Sequence, residues 1–253
     1  PLPIGEAIRD GGAKRVPLLA GYNADEGTIF YPDRKSPTAL SDTISGSMAQ
    51  REAMLEGVFG VNSAKALQAL YGMTSLESWD RGAEKMLGDD WFGVHTRFLA
   101  KANVAADQPT WLYHFSRTPP GKSQTLGAHH AAEIPFVFNS HSGFLPLSGD
   151  DDILTERITS YWTNFAKTGN PNGDGLPEWP AYTPDDDIWL ELDHEIKRIS
   201  RLRARKLDIL ESNLNHRIDA IKQSKTPLEL IENTALLSTA AGLGGEERIA
   251  NSD

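Results

Sequence analysis

The chain has 253 residues, a net charge of −10, no cysteine and 39% apolar residues. With no thiol there is no disulfide framework, no cysteine nucleophile, no iron–sulfur cluster and no zinc ribbon. The acidic balance argues against a nucleic-acid partner, whose affinity is drawn from a cationic surface releasing counterions, and no uncharged stretch reaches the roughly 18 residues of a membrane-spanning helix.

The sequence opens at Pro1 rather than Met and runs straight into structured-looking residues, so a missing N-terminal part, with or without a signal peptide, is expected. Val16 to Tyr22 is a short apolar run closed by a polar turn, the pattern of a buried strand. From about Ser36 to Asp107 apolar residues recur at helical spacing (Ala64, Leu67, Leu70 and Tyr71, then Phe98, Leu99 and Ala102), which predicts several short helices. Thr110 to Ser116 follows a proline, is rich in aromatics and reads as a second buried strand.

Between Asp150 and Thr168, Leu154, Ile158, Tyr161, Trp162 and Phe165 form one helical stripe, and Gly169 and Pro171 stop it. Ile188 to Leu192 and Ile196 to Ile199 read as edge strands. The last aromatic is Trp189; beyond residue 200 comes Leu207, Leu210, Leu214, Ile218 and Ile221, one face of an amphipathic helix. Thr226, Pro227 and Glu229 suggest a further capped helix, and Gly242 to Asp253 lacks the bulk to order. Strands interleaved with helices predict an α/β layer architecture.

Chemistry concentrates in Gly127 to Asn139 (GAHHAAEIPFVFN), where His129, His130 and Glu133 precede an apolar run. Histidine transfers protons near neutral pH, and a histidine base needs a carboxylate to fix its tautomer; Glu26, in the turn after the first strand, and Glu133 are the candidates. Taken alone, Glu26 reads more simply as a helix N-terminal charge, and His130 as a partly buried structural histidine. His130 and Glu133, three residues apart, can also face one metal ion, but neither H-E-x-x-H nor H-x-x-E-H occurs and no metal is expected. Trp91 and Phe92 read as core aromatics, and the six cations from Lys197 to Lys206 as an exposed helix face.

Four segments in order, GYNADEGTIF around Glu26, GAHHAAEIPFVF around His130, YWTNFAKTGNPN at 161–172 and WPAY at 179–182, resemble the type-B carboxylesterases, the family that includes the cholinesterases. The resemblance runs over about residues 1 to 216. It implies the C-terminal portion of an α/β-hydrolase fold, a mostly parallel sheet flanked by helices, with residues 1–200 in the hydrolase domain; the residue pattern beyond makes 201–241 a helical C-terminal extension and 242–253 a disordered tail. It implies a serine carboxylesterase acting on small-molecule esters without a cofactor, through a Ser, acid, His triad in that chain order. Glu26 matches the triad acid and His130, not His129, the triad base; Glu133 matches a supporting carboxylate.

The departure is equally specific. No serine of this chain lies in G-x-S-x-G, and the family's Gly-rich oxyanion segment is missing as well. The chain alone is therefore expected to be inactive, with the missing N-terminal half of the same enzyme as its partner. Gly93 stands where animal members place a disulfide cysteine, which suits a bacterial-type member. The sequence leaves two other readings open: a non-catalytic binding module, and an inactive truncated fragment. The absence of cysteine fits a cytoplasmic and a periplasmic or secreted enzyme equally.

Overall fold

A computed structural model describes residues 4–12, 15–30, 46–121, 124–141 and 148–223. The expected capped helix at Thr226, the rest of the 201–241 extension beyond residue 223, the 242–253 tail and the 36–45 part of the helical stretch lie outside the described residues.

In chain order the elements are α1 (Ile4–Arg9), β1 (Leu18–Asn23), α2 (Met48–Phe59), α3 (Val61–Tyr71), α4 (Leu76–Gly88), α5 (Val94–Ala105), β2 (Thr110–Phe115), α6 (Ile134–Phe138), α7 (Asp151–Thr168), β3 (Ile188–Leu192), β4 (Lys197–Ser200) and α8 (Ala204–Gln223). Among the described residues one sheet runs in the order β1-β2-β3-β4. β1, β2 and β3 are parallel, and β4 returns antiparallel to β3. The first strand starts at Leu18 rather than the expected Val16 because Pro17 has no N–H to give to the ladder; the Leu18 N–H pairs with the Pro109 carbonyl at 3.0 Å.

β2 shows why the layers form. Trp111 and Phe115 point to one face and pack with Leu154, Ile158 and Tyr161 of α7 and Phe136 of α6. Leu112 points to the other face, among Tyr22, Ala100 and Trp189. α7 ends where Gly169 takes φ +76, as the sequence pattern predicts. On the Leu112 side, α8 presents Leu207, Leu210, Leu214 and Ile218 to Leu67 of α3 and to Val94 and Phe98 of α5, so this helix completes a core rather than standing apart. Burying each such leucine contributes roughly 1.5–3 kcal/mol.

The reading of Lys197 to Lys206 as one exposed helix face is wrong. Lys197 and Arg198 belong to β4, α8 begins only at Ala204, and Arg203 turns inward. There its guanidinium donates to Asp89 Oδ1 at 2.6 Å, and Asp89 also accepts from the hydroxyls of Tyr71 (2.7 Å) and Tyr22 (3.3 Å). Asp89 opens a π-helical turn, Asp89–Gly93, between α4 and α5; the wider turn puts Asp89 inside and leaves Trp91 and Phe92 half-buried on the side that faces the end of β1.

Candidate active site

Parallel registration brings the C-terminal ends of β1 and β2 level, Asn23 opposite Phe115, and the loops beyond that edge are where an α/β sheet builds its sites. β1 passes at once into a one-turn 3-10 helix, Glu26–Ile29. That turn lies directly on the end of α4: a Cβ at Gly27 would collide with the Glu84 carbonyl, so only glycine permits the approach.

The second loop comes from beyond β2. Gly127 takes φ +67, and a side chain there would strike the Asp25 carboxylate. With that space open, Asp25 grips the loop: its N–H donates to the Ala128 carbonyl at 3.0 Å and its Oδ2 accepts the Ala128 N–H at 2.9 Å. Thr28 Oγ1 adds a bond to the Leu126 carbonyl at 2.9 Å. Ala131, directly after His130, is left-handed at φ +68, a conformation an alanine holds only when its surroundings enforce it.

Between the two loops, His130 Nδ1 and Glu26 Oε2 stand 2.7 Å apart, although the residues are 104 positions apart in sequence. The other Glu26 oxygen accepts the Asn23 N–H at 2.7 Å. The Glu26 side chain is 6% exposed and that of His130 40%. Burial pushes the Glu26 carboxyl above the usual carboxylate range and nearby Glu133 adds to the rise, against the opposing Asn23 N–H and His130.

Of the two adjacent histidines, His130 meets Glu26. His129 is buried with its Nδ1 2.8 Å from the His130 carbonyl oxygen. Glu133 connects to the pair through Asn23, whose Nδ2 donates to Glu133 Oε2 at 2.5 Å and to the His129 carbonyl at 2.8 Å. The rings of Phe92 and Phe30 flank His130 at 5.0 and 5.2 Å, and Trp91 backs Phe30 at 5.5 Å. Trp91 and Phe92 thus lie beside the pair, and Phe92 also packs against the core cluster of Tyr22, Leu112 and Trp189. Among the described residues no three His, Asp or Glu side chains converge as metal ligands. An imidazole whose Nδ1 faces a buried carboxylate has its tautomer set, and Nε2 is then the nitrogen that can take up and return a proton.

The sequence matches the model of the carboxylesterase family over residues 3–210. The chain belongs to the carboxylesterase family. Para-nitrobenzyl esterase of Bacillus subtilis (strain 168) is 33% identical to it over 196 residues, which cover 76% of this chain and 37% of that protein. Carboxylesterase 4A of Bos taurus is 40% identical over 214 residues, or 79% of this chain and 38% of that one. Among solved structures a PNB esterase superposes with a TM-score of 0.63 and 31% identity, over 81% of this chain and 40% of its own. The fold is therefore that of the α/β-hydrolases, and the chain spans under half the length of these carboxylesterases.

Two residues of this candidate site escape sequence reasoning. Asn23 reads only as one polar residue of a turn, yet it touches both loops. Arg203 hides in a basic run, yet it donates to the Ala24 carbonyl at 3.0 Å and so holds the start of the turn that carries Glu26. Asn23 stands inside the segment that carries the family resemblance, which was a usable signal; nothing local distinguishes Arg203 from the cations beside it.

Proposed function

We propose that this chain supplies the acid and the base of a serine esterase that hydrolyses small carboxylic esters through an acyl-enzyme, with the nucleophilic serine provided from outside its 253 residues. The observation that carries the reading is the 2.7 Å contact between His130 Nδ1 and the buried Glu26 carboxylate. Family membership and relatives named as esterases support the reaction class.

In this reading His130 Nε2 takes the proton of the serine hydroxyl as its oxygen attacks the ester carbonyl. Glu26 keeps the Nδ1 proton in place and stabilises the imidazolium that forms. His130 then gives the proton to the departing alkoxide, which leaves as the alcohol. A water molecule repeats the sequence on the acyl-serine and releases the carboxylic acid. No cofactor takes part. The half-buried rings of Phe30 and Phe92 keep one flank of His130 dry and apolar, a setting that strengthens the charge interaction with Glu26. No G-x-S-x-G serine occurs in the chain, so its own turnover is expected to be nil.

The test is hydrolysis of a short-chain chromogenic ester by the chain alone, and by the chain co-produced with a polypeptide carrying the G-x-S-x-G half of a relative. Turnover confined to the pair, and abolished by His130→Ala in soluble folded protein, is the expected result. Turnover that survives His130→Ala overturns the assignment.

A further inference from the structure

Asn23 joins Asp25 and Thr28 in touching the acid turn and the base loop together, and of the three it is the one that bonds to Glu26 itself and to the base loop on both sides of His130. It closes β1, is 1% exposed, and donates from three N–H bonds: the backbone N–H to Glu26 Oε1 and both protons of Nδ2, one to the His129 carbonyl and one to Glu133 Oε2. Its Oδ1 is buried with no partner among the described residues. The amide orientation follows from this, because a flipped amide would set Oδ1 against two acceptors.

We propose that Asn23 is a positioning residue that ties the base loop to the acid turn, and so holds His130 at bonding distance from Glu26. This rests on the Glu26–His130 reading given above. The two acceptors it binds lie one residue before and three residues after His130, so the amide grips the loop on both sides of the imidazole. Between those anchors sits left-handed Ala131, whose strain would otherwise relax by letting the loop swing.

The chemistry of the position also selects the residue type. The Glu133 carboxylate and the His129 carbonyl both face Nδ2 at bonding distance and, being acceptors, need hydrogen-bond donors. A lysine or arginine here would supply them with a charge that competes with His130 for Glu26. Aspartate matches the shape and has no donor. Serine has one donor where two are needed. A neutral side chain with two N–H groups satisfies both acceptors and leaves His130 as the cation-forming partner of Glu26.

The experiment uses the whole 253-residue chain with Asn23→Ala and the isosteric Asn23→Asp. The readouts are the far-downfield proton resonance of the His130 Nδ1–H, identified by its absence in His130→Gln, together with thermal unfolding. Wild type is expected to show the resonance; both variants are expected to lose or broaden it while unfolding cooperatively. Co-produced with the serine-bearing segment, the variants should lose kcat by about 10–100-fold with KM little changed, the scale of a misplaced catalytic group. An unchanged resonance in a folded variant overturns the proposal, as does its absence from wild type. Loss of cooperative unfolding in both variants assigns Asn23 to the fold alone and overturns it too. If the resonance behaves as expected and no pairing gives turnover, the esterase reading fails while the positioning role stands.

Discussion

Glu26 and Asp89 are both buried carboxylates facing a cationic or cation-forming side chain, and they are wired in opposite ways. Asp89 is fully buried and saturated: two phenol hydroxyls and the Arg203 guanidinium occupy its oxygens. Burial works against the charge of Arg203, but facing Tyr22 and Asp89 hold its proton more tightly than usual. His114, its ring tilted against that of Tyr22 at 4.8 Å, is pushed down to about 3 by burial and by Arg203, so it stays neutral. Glu26 by contrast has one backbone N–H and an imidazole that is 40% exposed. A saturated carboxylate with a permanent cation fixes structure; an under-satisfied one with an exposed titratable partner can take part in proton transfer.

Glu26→Gln removes the under-satisfied carboxylate and carries the largest expected effect. In the completed enzyme this change should lower kcat by about 10³–10⁴-fold, since a neutral amide neither fixes the Nδ1 proton nor stabilises imidazolium; initial rates on a chromogenic ester measure it. Stability should move the other way. The folded carboxyl titrates above its unfolded value, so its contribution to stability is full below the ordinary carboxylate range and is lost as pH rises through the raised folded value. Glutamine has no such titration. Thermal unfolding of the two proteins should therefore coincide at about pH 4 and separate by about pH 8 in favour of the variant. Equal stability at both would show that Glu26 bears no cost for its charge, and the contrast with Asp89 would fall.

Arg203→Met tests the other side. It removes the cation from Asp89 and leaves a buried carboxylate with hydroxyl donors alone, at a cost of about 3–5 kcal/mol in urea unfolding. Adding Asp89→Asn should recover part of that loss, because the uncompensated charge is then gone. A single-variant loss below about 1 kcal/mol would mean that the cluster is not what holds α8 against the π turn.

Much of the scaffold was legible because local pattern and tertiary role coincide. The aromatic run of β2 buries both faces, and the stripes of α7 and α8 each meet a core cluster. The site was legible only in part. Glu26 and His130 meet through the parallel register of β1 on β2 and through loop bonds from Asp25 and Thr28, none of which a local pattern encodes; residue chemistry left Glu26 and Glu133 both open as the carboxylate, and the resemblance chose Glu26 and His130. α6 is five residues long and closes on left-handed Asn139, just after the left-handed Ala131, conformations that periodicity does not reveal in non-glycine residues. Asn23 was hidden because a strand-end asparagine is usually turn chemistry.

The basic run contains its own control. Arg198 and Arg203 are five positions apart in KRISRLRARK and look alike in sequence, but Arg198 lies half-exposed on edge strand β4, where it pairs with Glu178 at 2.6 Å, and Glu178 is 73% exposed. Water screens that pair, and holding two long side chains together costs entropy that offsets most of the attraction. Arg198→Ala should therefore change unfolding free energy by no more than about 0.5 kcal/mol and leave ester turnover in the completed enzyme unaltered. A larger loss, approaching that of Arg203→Met, would mean that the edge strand and not the buried carboxylate carries the stabilising role of this run. A loss of turnover would mean that β4 reaches the site by a path other than the Arg203 contact with the Ala24 carbonyl. With neither effect, the energetic weight of the run rests on the one arginine that leaves the surface, because a guanidinium gains most where its carboxylate has no water to turn to.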